Sequence, residues 1–210
     1  MPDTNRVHLI GAVARPPVNT GNGPLLTLAG EDLLPNGRPL PWYHKVQLPI
    51  GSALPDIGEM LEVHGRLIQV KWRTPAGQPR SVVRVAAEHW TTGRADDRLI
   101  REVDSVRLRG GLNRVQLSGN LASDADLHAP AGRDALVRLQ LAVAQVQPGQ
   151  PEHTHYFTVK AWADRARPLQ GLRRGARLGL EGPLRSERYQ AATGEPRNAV
   201  LIELHRARLR

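Results

Sequence analysis

The chain contains its own near-copy. Asn5-Arg6-Val7-His8-Leu9-Ile10-Gly11 returns 108 residues later as Asn113-Arg114-Val115-Gln116-Leu117-Ser118-Gly119. Trp42-Tyr43-His44-Lys45-Val46 is answered by His155-Tyr156-Phe157-Thr158-Val159, and Val63-His64-Gly65-Arg66-Leu67 by Leu180-Glu181-Gly182-Pro183-Leu184. Trp72 and Gly77-Gln78-Pro79-Arg80 then meet Tyr189 and Gly194-Glu195-Pro196-Arg197 in the same order. A unit of roughly 110 residues is too long for a solenoid repeat, whose period runs about 20–50, and has the size of a small domain. The 210 residues therefore read as a tandem duplication.

Each copy reads as short strands broken by Gly, Pro and Asn. In the first these are Val7–Val13, Leu25–Ala29, Trp42–Leu48, Met60–Ile68 and Val82–Ala87; in the second, a counterpart of the first strand near Val115, then Leu136–Val143, Tyr156–Trp162, Arg177–Leu184 and Ala199–Leu204. The Gly- and Pro-bearing stretches 74–79 and 191–196 suit hairpin connections between the last two strands. Asp164–Arg174 has room for a helix turn, interrupted by Pro168 and Gly171, whereas Gly51–Asp56 is a poor helix. The expectation is a mainly β chain. Its strand count is that of two tandem OB-fold barrels, five-stranded Greek keys, although an SH3-like barrel or split sandwich has a similar count. The first domain is set at 1–92, a partly ordered linker at 93–111 and the second domain at 112–210. Leu99, Ile100, Val103 and Val106 make that linker too apolar for a free tether, so it should pack on a barrel or add a strand.

A formal net charge of +9 favours a polyanionic partner, because phosphate neutralisation supplies most non-specific nucleic-acid affinity. Lysine occurs only at 45, 71 and 160, so the basicity is mostly arginine. The absence of Cys removes disulfides, thiolate metal sites and a cysteine nucleophile. No run approaches the roughly 20 apolar residues that span a bilayer, and the opening residues show no secretory pattern, so a soluble, cytoplasmic protein is expected. Catalytic signatures are missing: no phosphate loop, no nucleophile elbow, no His-Glu-x-x-His. His153 and His155 stand two apart without a third ligand nearby, and Asp96-Asp97 and Asp124 with Asp126 read as solvated turn residues, so neither a metal nor a cofactor is expected.

Sequence-tolerant binding of a single strand needs flat π-faces for bases and cations for phosphates. Aromatics are only 4% of the chain, so their placement carries information. Tyr43, Trp72, Tyr156 and Tyr189 are the leading stacking candidates, with Trp162 and Trp42 beside them. Tyr43 and Lys45 share one face of their strand, opposite Trp42, His44 and Val46, which makes Trp42 also a candidate for the core; Phe157 is assigned to the core. Candidate phosphate contacts are Arg6, Lys45, Arg66, Lys71, Arg73, Arg80, Arg114, Lys160, Arg185, Arg188 and Arg197.

These blocks resemble the bacterial single-stranded-DNA-binding protein family, in its variant with two OB folds per chain. The resemblance rests on Asn-Arg-Val opening each copy, Gly11 and Gly119, Trp42–Val46, His155-Tyr156-Phe157, and Gly65-Arg66-Leu67 leading to Trp72. Thr20–Gly23 and Ala129–Gly132 resemble the family's first-hairpin turn, and the stretch 34–46 is close to the two-domain variant. It implies a non-enzymatic single-stranded DNA binder in replication, repair or recombination, associated with the nucleoid when bound, and a homodimer that brings four barrels to one strand. The chain departs from the family in its basic ending, Leu204–Arg210, where members carry an acidic, Phe-bearing tip, so recruitment of partner enzymes through such a tail is not expected. The first hairpin is short, and 145–150 carries no aromatic or basic residue. The departures leave two alternatives open: a primosome-like interaction subunit that has lost affinity, or an RNA binder.

Overall fold

The computed structural model describes residues 3–34, 36–129, 134–145, 153–190 and 194–209. The chain divides into two compact units, Arg6–Arg114 and Met1–Asn5 with Val115–Arg210. In the first, β1 (Asn5–Val13), β2 (Val18–Thr20), β3 (Gly23–Leu33), β4 (Pro39–Gln47), β5 (Met60–Arg73) and β6 (Pro79–Gly93) are followed by a 3-10 turn (Asp96–Arg98) and the short strands β7 (Leu99–Arg101) and β8 (Val106–Leu108). The pairings close a circuit. β1 pairs antiparallel with both β5 and β3, β3 with β4, and β5 with β6, while β4 meets β6 in parallel at Val46 and Val85. A sheet that returns to its first strand leaves no open edge in the circuit, as in an OB barrel.

The second unit repeats the circuit. β9 (Leu112–Leu121), β10 (Asp126–His128), β11 (Leu136–Gln145), β12 (His153–Trp162), β13 (Arg177–Gly182), β14 (Leu184–Gln190), β15 (Pro196–Glu203) and β16 (Arg206–Leu209) follow in order. β9 joins β11 and β13, β11 joins β12, β12 meets β15 in parallel, and β14 pairs with β15. Two 3-10 turns, Ala163–Arg165 and Arg167–Leu169, occupy the expected helix-turn position. The basic run near residue 205 holds a strand: Arg206–Leu209 pairs with Leu178–Glu181.

Alternation explains which side chains fill the barrels. Val7, Leu9, Leu26, Leu28, Leu61, Val63 and Leu67 close the first core, and Val115, Leu117, Leu139, Leu141, Phe157, Val159 and Leu180 the second. Burying each large aliphatic chain is worth about 1.5–3 kcal/mol. The repeated Gly65 and Gly182 have a steric reason. A Cβ would meet Ala86 O at 2.1 Å in one and Glu203 O at 1.8 Å in the other, where the long strand bends between partners. Gly65 lies at a bulge and Gly182 at the break between β13 and β14.

Residues 93–111, set apart as a linker, contain the β7–β8 hairpin. Ala95 and Leu108 are buried with Ala12, and Ile10, Met60 and Leu99 pack on them. The Val106 amide donates to Ala14 O at 3.1 Å, and Glu31 N–H reaches Gly110 O at 3.1 Å. The turn expected at 129–132, the loop 145–150 and the stretch 191–193 fall wholly or partly outside the described residues.

Candidate nucleic-acid interface

On β4, Trp42, His44 and Val46 point inward and are buried, so Tyr43, Lys45 and Gln47 point out. On the β5–β6 ladder Ile68 faces Arg84, Val70 faces Val82, and Trp72 faces Arg80. Directly opposed residues share a face, so these six side chains form one stripe. Lys45 joins the stripe to β4. Its ammonium donates to Thr27 Oγ1 at 2.8 Å, and it is held below the ordinary lysine range by burial of its stem, then by the charges of Arg15 and Arg84. One surface therefore runs from Tyr43 through Lys45 and Arg84 to Trp72 and Arg80, with Trp72 47% exposed.

The second barrel builds the same surface with different charge partners. Tyr156, Thr158, Lys160 and Trp162 point outward from β12, and Arg138 stands opposite Lys160 on β11. Lys160 Nζ donates to Glu187 Oε2 at 2.5 Å, and Glu187 shares a face with Tyr189 two residues on. Tyr189 lies across from Arg197. Tyr156, Trp162 and Tyr189 all expose a large part of their rings. Exposed rings beside cations offer stacking surfaces for bases and neutralising charge for phosphates.

Two sequence expectations change in three dimensions. Trp42 is 3% exposed, and its ring fills space left by Gly11 and Gly30: a Cβ on either would come within 2.8 Å of the indole. It is a core residue with no face for a base. Lys71 and Arg73, adjacent to Trp72 in sequence, point to the opposite side of the hairpin, as does Arg188 beside Tyr189. The cations that share a face with each ring are the cross-strand Arg80 and Arg197.

Tyr43 is also less open than its alternation suggests. Its hydroxyl donates to Glu102 Oε2 at 2.5 Å, and Glu102, on the β7–β8 hairpin, also accepts from Ser105 Oγ at 3.0 Å and from Arg107. Arg107 further reaches the buried Glu31 carboxylate at 3.3 Å.

Comparison with known proteins bears on the family and the fold. The description "Single-strand binding protein family" matches residues 112–209. The single-stranded DNA-binding protein of Thermus thermophilus is 36% identical over 95% of this chain and 81% of its own length. That of Deinococcus radiodurans is 34% identical over 96% and 74% respectively. The chain belongs to the single-strand binding protein family. The crystal structure of the wild-type single-stranded DNA binding protein from Thermus aquaticus aligns over 100% of this chain and 94% of its own, with a TM-score of 0.77 and 29% identity.

Within this family member the remaining candidate cations divide by partner. Arg66 pairs with Glu88, Arg185 Nε with Glu203 at 2.7 Å, and Arg197 with Glu195 at 3.5 Å. Arg73 donates to Gly77 O at 2.9 Å within its own turn. Arg6 and Arg114 are exposed on β1 and β9, strands that do not pair with β4 or β12. Trp90, across from Val63 on β6, is half-buried. Sequence reasoning missed Arg15, Arg84 and Arg138. Arg84 and Arg138 sit on outward strand positions, but only the parallel β4–β6 pairing and the β11–β12 register reveal what they face.

Proposed function

We propose that this chain binds single-stranded DNA with little sequence preference, one aromatic–cation face per barrel. The observation that carries the proposal is the duplicated surface itself: Tyr43, Lys45 and Trp72 with Arg80 in one copy, Tyr156, Lys160 and Tyr189 with Arg197 in the other. Two copies that diverge elsewhere in charge pairing both present an outward tyrosine on the third strand and an exposed ring on the hairpin. Each stacked base contributes about 1–3 kcal/mol, and neutralised phosphates add a salt-dependent part. Names carried by the relatives support the same reading.

The finer assignments belong to this proposal. The units are a barrel at 1–92, a segment at 93–111 that straps it, and a barrel at 112–210. Two chains associate so that four barrels meet one strand, which light scattering tests directly. The setting is cytoplasmic and nucleoid-associated, protecting exposed strands; among the described residues no helix is long and apolar enough to cross a membrane. The role is non-enzymatic.

Tryptophan fluorescence on titrating oligo-dT, against duplex of equal length and against oligo-U, at low and high salt, tests the core claim. Quenching by oligo-dT that weakens with salt and falls in Trp72→Ala supports it. Absence of quenching at micromolar protein in low salt overturns it in favour of an interaction subunit, and tighter binding to oligo-U redirects it to RNA.

A further inference from the structure

We propose that His8, Glu62 and His64 form a site for a borderline divalent transition-metal ion of the zinc class on the outer face of the first barrel. Val7, Leu9, Leu61 and Val63 point into the core, so His8 on β1 and Glu62 and His64 on β5 point out. The antiparallel register sets His8 directly across from His64 and Ile10 across from Glu62. The imidazoles stack with centroids 4.0 Å apart and planes at 23°. Both Nε2 atoms converge on a single oxygen: His8 Nε2 lies 2.7 Å and His64 Nε2 3.2 Å from Glu62 Oε1.

One donor atom from each residue lies within 4.8 Å of the others. Tetrahedral zinc with ligands at about 2.0–2.1 Å sets its donors roughly 3.3 Å apart, so small side-chain rotations that open the hydrogen bonds would let an ion sit between the three donors. Two imidazoles and one carboxylate are a donor set that zinc accepts, with the fourth position left to water. The side chains are 31%, 41% and 53% exposed, enough for an ion to enter and keep that water. Hydrogen bonds from the two imidazoles already hold the Glu62 carboxylate beside both histidines.

The second barrel supplies an internal control. At the positions of His8 and His64 it has Gln116 across from Glu181, joined by a 3.0 Å hydrogen bond, and Gly179 replaces Glu62. The set is therefore particular to the first copy, where an ion would tie β1 to β5. The inference is independent of nucleic-acid binding.

Cobalt titration of the full chain, read by visible absorption, and zinc titration by calorimetry test it. The expected result is a single ion per chain, with zinc raising the melting temperature of the wild type. His64→Gln and His8→Gln, both checked for fold by circular dichroism, should each weaken binding by roughly tenfold or more and abolish the shift. His153→Gln, which alters the other histidine pair, should leave both intact. Failure to bind zinc at micromolar concentrations, or binding that survives in His64→Gln and His8→Gln, overturns the assignment, as does loss of binding in His153→Gln.

Discussion

Around its central lysine the first barrel gathers further cations, whereas the second barrel supplies a carboxylate. Lys45 sits beside Arg15 and Arg84 and has its proton affinity lowered, while on β12 the matching position is Thr158 and the lysine, Lys160, stands two residues on and is bonded to Glu187. Arg185 likewise holds Glu203. A cluster of like charges stores repulsion that an incoming phosphate relieves. A paired lysine must first give up its carboxylate, so its gain on binding is smaller. The same duplicated scaffold thus carries one face whose lysine is crowded by cations and one whose lysine is already paired with a carboxylate. The first face is in turn restrained at Tyr43 by Glu102 on the hairpin that straps it.

The largest expected effect tests whether the barrels share a common logic in their cores. Trp42→Ala should destabilise the first unit by about 3–5 kcal/mol, as removing a buried aromatic does, and Phe157→Ala should do the same to the second. Chemical denaturation followed by circular dichroism checks both; if Trp42→Ala unfolds normally but loses DNA affinity, Trp42 is a stacking residue after all. Next come the exposed rings. Trp72→Ala should reduce oligo-dT affinity by about 1–3 kcal/mol and Tyr189→Ala by an amount at the lower end, because indole offers the larger face. Equal losses would remove the asymmetry in stacking and leave only that in charge.

The β architecture was largely legible in the sequence, and the site only partly. Alternation around Tyr43 and Lys45 separated wet from dry faces because a strand's period of two is local. Gly65 and Gly182 stood out in the sequence only as repeated positions; that a Cβ there would strike the Ala86 and Glu203 carbonyls came from the strand pairing. Register was not legible. Trp72 reads beside Lys71 and Arg73 in the chain, yet Arg80, eight positions on, is the cation on its face. His8 and Glu62 are separated by 54 residues, and only the β1–β5 pairing joins them. Glu102 lies in a stretch that reads as linker, and nothing local to it signals a bond to Tyr43. Long-range pairing decides each of these, and a single sequence records only its endpoints.

Charge offers a finer test of the same contrast. For single strands the salt slope becomes shallower by about 0.7 for each phosphate that is no longer neutralised. Lys45→Ala should reduce the slope by close to that amount, and Lys160→Ala clearly less, since Glu187 already occupies its ammonium. Glu187→Gln should free Lys160 and steepen the slope. If the two lysine variants give equal slopes, the pairing in the second barrel does not persist against DNA.

The smallest effect concerns acid. In the second barrel Asp124 accepts the Arg174 backbone N–H at 2.8 Å and the Arg173 guanidinium at 2.8 Å, which hold its carboxyl below the ordinary aspartate range, the backbone bond first. The first barrel has a related backbone bond, Gly58 N–H to Val13 O at 2.9 Å, matching Gly175 N–H to Leu121 O at 2.8 Å. There Arg15 and Pro16 follow the strand where the second copy places Ser123 and Asp124. A depressed carboxyl stabilises the fold above its unfolded value, near about 3.9, and that contribution disappears as pH falls through the lower folded value. The first copy has Pro16 at the matching position, so the contribution of this carboxylate, lost in acid, belongs to the second barrel. Because Asp124 is exposed, solvent screens the effect and the shift should be small. Melting of the wild type and Asp124→Asn between neutral and acid pH checks it: the two should differ at neutral pH and converge in acid. A difference that persists in acid would mean that Asp124 holds the loop by geometry alone and not through its charge.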